Sequence, residues 1–595
     1  MEILEYPFDG CRIIAKKRQI KKELINCDVN WLKKRIAILG GSTTDDVKQI
    51  LELFLLDNGI MPEFYESEYN QYYEEAMFPN DELKKFAPDM IYIHTTHKNI
   101  SVYPSLTENE GKIENMLGEE EAKYTAMWDH LAEEYKCPVI QNNFDYPSYR
   151  ILGNMENYDV HGKINYINRL NSFFGKYAAG HDNFYIQDIQ YLQSECGMDI
   201  WYDAAEWYLY KYAVSLRAIP MLAYDLANII KAVYGKNKKA LVLDLDNTLW
   251  GGIVGDDGAE NLEMGPESAA GEAFGAFQNY LKELKDTGII LNVDSKNDEE
   301  NALAGLKHRD CVLSPDDFIS IKANWEPKSK NFIDIADELN IMPDSMVFVD
   351  DNPAEREIVK RQIPGARAPA MPCPEKYIEM IDRGGFFEVT SLSEDDMHRN
   401  EMYKANARRE KIKASFENYD DYLRSLDMTA VIDNFEPVYF QRIAQLTNKS
   451  NQFNLTTKRY SSADIEKITD SHDYITMYGK LKDKFGDNGV VSLVVGKREN
   501  DTLHIILWLM SCRVLKRKME CAMMDSLVKK ARAAGVRKII GYYLPTAKNK
   551  MVKEFYQQQG FSMESCDDTG KSVWSCRLDG QYRAKNDVIN VTEAV

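Results

Sequence analysis

Short, fully apolar runs alternate with stretches of helical spacing along the N-terminal third of the chain. Three such runs cover residues 35–39, 90–94 and 138–141, and a helical pattern over residues 46–57 follows the first of them. Runs of this length that end in Gly, Asn or Asp are typical of parallel strands buried on both faces. The N-terminal third is therefore predicted to be an α/β domain.

The same alternation resumes after a polar, basic segment at residues 236–239. Before it, aromatic residues and alanines at helical spacing over residues 201–234 end at Gly235, which places a boundary there. Beyond it, apolar runs separated by helical patterns predict a second α/β unit. The runs cover residues 240–245, 289–293 and 346–350, and the helical patterns cover residues 267–286 and 328–339.

The last third of the chain shows a different pattern. A further boundary is predicted near Gly384-Gly385, and the highly charged residues 391–425 predict surface helices. Apolar runs then predict strands of an α+β domain at residues 430–433, 490–495 and 503–510. We therefore expect three domains, which cover residues 1–235, 236–385 and 386–595.

Composition narrows the class of protein. The 595 residues are 44% hydrophobic and 28% charged, which excludes general disorder, and the net charge of −21 disfavours nucleic acid and anionic membranes as partners. No apolar stretch approaches the roughly 20 residues that span a bilayer, and the N-terminus lacks a secretion signal pattern. Ten cysteines without a CxxC pair favour a reducing compartment, so we expect a cytoplasmic protein.

Two carboxylates, Asp244 and Asp246, directly follow the apolar run that opens the second α/β unit. Open α/β sheets bind their ligands at the carboxyl ends of the strands. A pair of carboxylates at such an end can divide the work of a displacement reaction, because one can attack while the other handles protons. This pair is the first candidate for catalysis.

Further polar residues follow in an order that suits phosphoryl transfer. The hydroxyl of Ser295, at the end of the next strand, can hold a phosphoryl oxygen, and Lys328 can neutralise the phosphate, with Lys330 as a rival for that role. Asp350 and Asp351 follow the third strand and suit Mg²⁺, which prefers oxygen ligands. Together these residues predict a Mg²⁺-dependent phosphoryl-transfer site.

This ordered set resembles the four motifs of the haloacid dehalogenase (HAD) phosphatase superfamily. The resemblance implies that Asp244 is the nucleophile and that Asp246 is the general acid/base, which also gives a backbone carbonyl to Mg²⁺. It further implies phosphate binding by Ser295 and Lys328, metal binding by Asp244, Asp246, Asp350 and Asp351, and substrate contacts from Thr248, Lys296 and Asn297. The short gaps between the motifs leave no room for a cap domain, so the site is expected to be open.

The amino-acid sequence around the first motif resembles that of the FkbH-like branch, HAD subfamily IIIC. Residues 246–258 and 295–299 carry the match, and residues 485–489 and 511–514 in the last third agree with it. Members of this family load a glyceryl unit from 1,3-bisphosphoglycerate onto an acyl carrier protein and release phosphate. The family usually has Cys where this chain has Asp294, which raises the weight of simple hydrolysis or of another acyl phosphate.

The last third also resembles the GNAT acyltransferase fold, through the strand at 503–510 and a helix at 519–534. Lys516 and Lys518 stand where that fold has the glycines of its phosphate-binding turn, so docking of phosphopantetheine or a carrier protein is favoured over acetyl-CoA catalysis. Residues 513–554 hold 12 Lys or Arg against three acidic residues and can attract an acidic carrier protein. Their alternative interpretation is a set of solvated helix faces.

A Gly40-Gly41-Ser42 turn in the N-terminal domain resembles the nucleophile block of SGNH hydrolases. Ser42, with Asn143, is a weak candidate site, because the late Asp-x-x-His of that family is missing and only His161 and His181 occur late in the domain. A structural turn is the preferred interpretation. Two histidines near this turn are assigned to polar loops, namely His94 and His97.

The sequence therefore predicts a three-domain FkbH-like enzyme that contains an SGNH-like or flavodoxin-like α/β domain, a capless HAD domain and a GNAT-like α+β domain. Its expected cofactor is Mg²⁺, and its expected substrate is a phosphorylated small acid whose acyl group passes to a carrier protein. Two alternatives stay open. One is a plain HAD phosphomonoesterase, and the other is a non-catalytic scaffold.

Overall fold

A computed structural model describes residues 1–27, 29, 31–78, 81–413, 415–450, 452–546, 548–578, 580 and 582–592. The chain forms two compact units, Met1–Val233 and Tyr234–Val595. The predicted division of the second unit near residue 385 stays a prediction. Within the described residues, the helices are too short or too polar to cross a membrane.

The first unit is a five-stranded parallel sheet with the order β2-β1-β3-β4-β5. Its strands are β1 Leu32–Gly40, β2 Ile60–Glu66, β3 Met90–His94, β4 Val139–Asn142 and β5 Phe184–Gln187. Its helices are α1 Gly10–Ile25, α2 Asp45–Asp57, α3 Tyr72–Met77, α4 Asp81–Phe86, α5 Glu110–Tyr135, α6 Lys163–Gly180, α7 Ile189–Cys196, α8 Met198–Trp201, α9 Ala204–Tyr210 and α10 Ile219–Val233. The predicted α/β class is confirmed.

The strand order of this sheet reverses between β1 and β3. At this place the turn after β1 meets the end of β3, and the amide of Gly41 donates to the carbonyl of His94 at 2.8 Å. Such a reversal opens a crevice at the carboxyl edge of a parallel sheet. The candidate turn at Ser42 therefore lies at the edge where this sheet type places its sites.

The predicted helical stretch 201–234 is interrupted. The Asp203 side chain caps α9 at its N-terminus, and Lys211, with φ of 61°, ends it in the left-handed conformation. Helix α10 begins only at Ile219. Aromatic spacing alone did not indicate these ends, because the left-handed position is held by a lysine instead of a glycine.

The second unit opens with a four-stranded parallel sheet of order β8-β7-β6-β9. Its strands are β6 Ala240–Leu243, β7 Ile290–Ser295, β8 Ser320–Ala323 and β9 Met346–Val349. The accompanying helices are α11 Val254–Asp257, α12 Ala269–Asp286, α13 Glu299–Leu306, α14 Lys328–Leu339, α15 Pro353–Gln362 and α16 Tyr377–Asp382. This arrangement confirms the predicted Rossmann-like sheet.

Strand β6 is central and completely buried. It pairs with β7 on one side and β9 on the other, and the amide of Asp244 extends the ladder by donating to the Val349 carbonyl at 2.9 Å. The backbone of Asp244 is therefore fixed at the sheet edge. Between β6 and β7 the chain holds only α11, α12 and short irregular segments, which agrees with the expected absence of a cap.

The remainder of the second unit is an α+β arrangement, as predicted. Its strands are β10 Met428–Asp433, β11 Phe453–Asn454, β12 Tyr474–Asp483, β13 Gly486–Glu499, β14 Thr502–Met510, β15 Lys538–Tyr543, β16 Ser562–Cys566, β17 Ser572–Arg577 and β18 Ile589–Thr592. Its helices are α17 Glu394–Met397, α18 Arg399–Lys413, α19 Tyr419–Ser425, α20 Phe440–Lys449, α21 Ser462–Asp470, α22 Met519–Ala533 and α23 Phe555–Gln558. The strand order is β16-β17-β15-β14-β13-β12-β10-β18, with β11 beside β14.

Strands β14 and β15 are parallel and are connected through α22, the element order that the GNAT resemblance implies. They pair only as far as Ile505 and Gly541. Beyond that point Phe453 pairs with Met510, and the Leu544 amide donates to the Leu455 carbonyl at 2.8 Å. The chain itself therefore fills the gap that opens between these two parallel strands.

The prediction of surface helices over residues 391–425 is wrong for α18. This helix buries Met402 and Tyr403, and its Arg409 lies beneath the surface in an ion pair with Asp483 at 2.6 Å. Arg517 pairs with the same carboxylate at 3.2 Å. High charge density misled the prediction because these charges satisfy one another inside the protein.

The Asp483 cluster generates a stability prediction. Replacing Asp483 with Ala leaves two buried guanidinium groups without their shared carboxylate, and we expect the free energy of unfolding to fall by about 3–5 kcal/mol. The matched control is Glu564→Ala, which removes the more exposed pair with Lys538 and should cost less than about 1 kcal/mol. Urea unfolding measures both, and equal losses would contradict the assignment.

Candidate functional site

The Lys328 ammonium lies between two carboxylates at the carboxyl edge of the four-stranded sheet. Its Nζ is 2.9 Å from Asp244 Oδ1 and 2.6 Å from Asp350 Oδ2. All three side chains are buried. Asp244 follows β6, Asp350 follows β9, and Lys328 begins α14, so three separate elements converge on one point.

Lys330, the alternative to Lys328, lies elsewhere. Its side chain is 57% exposed and pairs with Glu326 one helical turn away at 3.0 Å. Because residues two apart on a helix point in different directions, only one of the two lysines can face the sheet edge. The structure brings Lys328 to the carboxylates.

Asp351 completes a cluster of acidic groups. Carboxylate oxygens of Asp244, Asp350 and Asp351 lie within 4.8 Å of one another. The backbone behind them is held by Arg356, whose Nη1 donates to the carbonyls of Asp350 and Asp351 at 2.6 and 2.7 Å. The Thr248 hydroxyl accepts from the Asp351 amide at 3.1 Å.

Asp246 is surrounded by hydrogen-bond donors. Its Oδ1 accepts from the Trp250 indole at 2.9 Å and from the Val254 amide at 3.0 Å, and its Oδ2 accepts from Asn297 Nδ2 at 2.7 Å. Three donors fix the orientation of this carboxylate. Its side chain is not among the clustered acidic groups.

The residues predicted to touch substrate make contacts within the protein. The Thr248 side chain is fully buried, Asn297 is nearly so, and the exposed Lys296 pairs with Glu355 at 2.5 Å. Ser295 ends β7 and is buried. Thr248 and Asn297 thus support Asp351 and Asp246, while their proposed contact with substrate stays a prediction.

Asp294 and Asn331 were missed as members of the site. Asn331 Nδ2 donates to Asp294 Oδ1 at 3.0 Å, and Asp294 Oδ2 is buried with no hydrogen-bond partner among the described residues. Asn331 lies one helical turn after Lys328, so helical spacing contained the signal. The sequence marks Asp294 only as a departure from the family pattern.

Burial and crowding change the protonation of these groups. Burial raises the pKa of Asp244 to about 7, although Lys328 opposes the shift, and burial raises the pKa of Asp294 to about 8. Burial also raises the pKa of Asp351, with the Asp350 charge adding to it. For Lys328, burial lowers the pKa, but Asp244 and Asp350 outweigh it and raise it above the ordinary value.

The N-terminal candidate Ser42 lies just after β1. Its hydroxyl is buried without a hydrogen-bond partner among the described residues. The histidines weighed as partners are engaged elsewhere, because His161 contacts Asp159 at 2.8 Å and His181 stacks on Tyr177. The preferred interpretation of a structural turn stays a prediction.

An unpredicted pair lies in the same unit, at the carboxyl edge of its sheet. His97 Nδ1 is 2.8 Å from Asp145 Oδ1, and the Trp201 indole donates to Asp145 Oδ2 at 2.8 Å. The sequence assigned His97 to a polar loop, and nothing in its local pattern indicated a carboxylate that lies 48 residues away.

The basic region 513–554 is less exposed than its composition indicated. Arg513 and Arg517 are buried, and Arg517 contacts Asp483. Lys518 pairs with Asp420 and Asp587 at 2.8 and 3.2 Å. The expectation that Arg517 belongs to a docking face is therefore wrong, whereas Lys516 is exposed.

Lys516 and Lys518 both adopt positive φ angles, of 66° and 59°. The turn thus keeps left-handed backbone positions where the GNAT pattern has glycines, although such positions are strained for lysine.

Comparison with known proteins found one family model and several solved structures that resemble this chain. A family model described as the N-terminal domain of FkbH matches residues 35–231. The crystal structure of the N-terminal part of BF1531 from Bacteroides fragilis, described as containing a phosphatase domain and complexed with Mg, is 32% identical. The match covers 63% of this chain and 99% of that chain, with a TM-score of 0.58.

Two acetyltransferase structures match a smaller part of the chain. The ribosomal-protein-S18-alanine N-acetyltransferase of Escherichia coli is 11% identical over 26% of this chain and 100% of that chain, with a TM-score of 0.21. Ard1 from Thermoplasma volcanium is 17% identical over 25% of this chain and 97% of that chain, with a TM-score of 0.20. Similarity at this level assigns no activity. A search of curated proteins found no match.

The parallel sheet, the carboxylate cluster around Lys328 and the BF1531 match together define an enzyme with a HAD-type phosphatase domain. The chain belongs to the FkbH-like family.

The raised pKa of Asp294 generates a prediction about stability. The folded protein binds a proton here that the unfolded chain releases near pH 4, so this group makes stability fall as pH rises toward 8. Asp294→Asn removes that loss and keeps the acceptor for Asn331. In EDTA, we expect the Tm difference between variant and wild type to widen in favour of the variant by at least about 3 °C between pH 5 and pH 8.

The control for this measurement is Asp286→Asn, which changes an exposed carboxylate on α12. Its Tm difference from wild type should be nearly constant over the same pH range. A constant difference for Asp294→Asn as well would contradict a protonated Asp294 in the folded state.

Proposed function

We propose that this enzyme is a Mg²⁺-dependent, FkbH-like hydrolase that releases phosphate from a phosphorylated small acid such as 1,3-bisphosphoglycerate and passes the acyl group to an acyl carrier protein. The observation that carries the phosphatase part is the Lys328 ammonium held 2.9 Å from Asp244 and 2.6 Å from Asp350. A buried cation beside a carboxylate at a sheet edge is suited to a phosphate that approaches that carboxylate.

The donor set fits Mg²⁺. Three carboxylates, those of Asp244, Asp350 and Asp351, lie within 4.8 Å of one another. Among the described residues, Lys328 is the one ammonium group that contacts them, through Asp244 and Asp350, so carboxylates outnumber cations in this place. Hard divalent cations bind such oxygen clusters. When bound, Mg²⁺ would offset the charge of the carboxylates and of the phosphate.

Asp244 is suited to act as the nucleophile because its backbone is fixed by β9 and its carboxylate is aimed by Lys328. In the hydrolytic reaction Asp244 attacks phosphorus, the bond from phosphorus to the acyl oxygen breaks, and the acid leaves as a carboxylate with the electron pair. Water then attacks the aspartyl phosphate, releases phosphate and restores Asp244. Asp246 accepts the proton of that water.

The hydrogen bonds at Asp246 favour a substrate that needs little acid catalysis. Three donors point at the oxygens of this carboxylate, an arrangement that favours acceptance of a proton over donation of one. A phosphomonoester leaves as an alkoxide that must be protonated, whereas an acyl phosphate leaves as a carboxylate. This contrast supports an acyl phosphate over a plain phosphomonoester.

Acyl transfer is a second reaction of the same substrate. In it, the thiolate of a carrier's phosphopantetheine attacks the acyl carbon, the bond from that carbon to the bridging oxygen breaks, and phosphate leaves whole. The absence of a cap domain leaves room for a carrier protein. Asp294, which stands where the family usually has Cys, offers no thiol to hold the acyl group, so transfer would go directly to the carrier.

Asp244→Asn tests the phosphatase part. The change is nearly isosteric but removes the nucleophile, so we expect phosphate release without a carrier to fall at least about 1000-fold while the thermal melt stays cooperative. Variants of Lys328 and Lys330 provide a second comparison. Lys328→Met should lose most activity, and Lys330→Met, an exposed control on the same helix, should keep it. Equal activity in the two lysine variants would contradict the site.

Lys516→Glu tests the docking of a carrier on the basic region. Lys516 is exposed, and reversing its charge should weaken association with an acidic carrier protein at low salt by about 3-fold or more. Hydrolysis of a small acyl phosphate without carrier should stay within about 2-fold. If both rates fall together, or if neither changes, the docking assignment fails.

A further inference from the structure

A second cleft lies in the same unit at the opposite edge of the four-stranded sheet. It has a volume of about 90 Å³ and is partly open to solvent. Lys239 and Ser345 line it and directly precede β6 and β9, whereas Asp244 and Asp350 follow those strands. At about 3.3 Å per residue, roughly 16 Å of strand separates Lys239 from Asp244. The cleft is therefore distinct from the carboxylate cluster.

The charge of this cleft is opposite to that of the chain. Five cationic side chains line it, and Asp396 is the single acidic residue that does so within the described part of the chain. Asp344 adds one more carboxylate, which pairs with Lys548 at 2.7 Å. The five cations are Lys239, Arg399, Arg442, Arg513 and Lys548. A surplus of three positive charges thus gathers in a protein whose net charge is −21.

The environment of Lys239 indicates that this surplus of positive charge is unfavourable. Its ammonium has no hydrogen bond or ion pair among the described residues. Burial lowers its pKa, Arg399 and Lys548 lower it further, and Cys512 and Asp344 oppose the shift without cancelling it. The pKa of the nearby Lys236 is also lowered, to about 8, by burial and by the charge of Lys548. Buried like charges destabilise a fold unless an anion joins them.

The other walls offer what a small organic anion needs. Ser450, Gln452 and Ser511 supply hydrogen-bond groups, and Ile341 and Met510 supply apolar surface. Pockets for phosphorylated metabolites combine these features, with cations for the phosphate and an apolar wall for the remainder.

We propose that this cleft binds a phosphate-bearing small molecule, with Lys239 as its central phosphate contact. Three parts of the unit meet here, because Lys239 directly precedes β6 of the phosphatase sheet, Arg399 belongs to α18, and Arg513 belongs to the segment after β14. A bound ligand would therefore join the phosphatase sheet to the α+β part. The site does not depend on the function proposed for the carboxylate cluster.

Calorimetric titration of the full chain with pyrophosphate, in buffer containing EDTA and no phosphate, tests this proposal. We expect wild type to bind pyrophosphate and Lys239→Met to bind it at least about 10-fold more weakly. Lys548→Met, which changes a second lining cation, should weaken it at least about 3-fold. Lys550→Met changes an exposed neighbour outside the lining and should have no effect.

Two further readouts separate this site from the phosphatase site and from loss of folding. Pyrophosphate binding should persist in Lys328→Met. Lys239→Met should raise the Tm in the absence of ligand, because it removes a partly buried charge that has no hydrogen bond or ion pair among the described residues. No binding by wild type, equal binding by Lys239→Met, or loss of binding only in Lys328→Met would each overturn the proposal.

Discussion

One shared cation organises the phosphatase domain. The Lys328 ammonium contacts both Asp244 and Asp350, while Asp351 stands close by and Asp294 is buried next to Ser295. Carboxylates that outnumber cations in a buried place are unstable as ions, and the raised pKa of Asp244 and of Asp294 expresses that constraint. The arrangement becomes favourable when another cation enters, which is the condition for handling phosphate with Mg²⁺.

The fold keeps these carboxylates close together by fixing the backbone that carries them. Strand β6 is buried between β7 and β9, so Asp244 cannot retreat toward water. Arg356 ties down the carbonyls behind Asp350 and Asp351, and Asn297 and Trp250 tie down Asp246. The groups that would react are thereby pre-organised before any substrate arrives.

Much of this domain was predictable because its signals are local. Apolar runs marked β6, β7 and β9, and their carboxyl ends share one edge in any parallel sheet, which brought Asp244, Ser295 and Asp350 together. The residue type did not distinguish Lys328 from Lys330, because both are lysines. The residue at which α14 begins determines which of the two side chains faces the sheet. The class of each sheet was predicted correctly because it too follows from the local pattern of apolar runs.

Other features depend on residues far apart in the chain, and composition misled the prediction there. Arg409 and Arg517 looked like solvated charges, yet Asp483 holds both inside the protein. His97 meets Asp145 across two strands of the first sheet. The cationic cleft around Lys239 is assembled from segments that lie up to about 300 residues apart in the chain. No local sequence pattern therefore predicted it.

The most direct measurement is rapid quenching of the enzyme during turnover of an acyl phosphate with Mg²⁺, followed by peptide mass mapping. The account predicts a transient phosphate on the peptide that contains Asp244, absent from Asp244→Asn, and free phosphate that appears as this species decays. Full turnover with no phosphorylated peptide, or with phosphate on another residue, would contradict it.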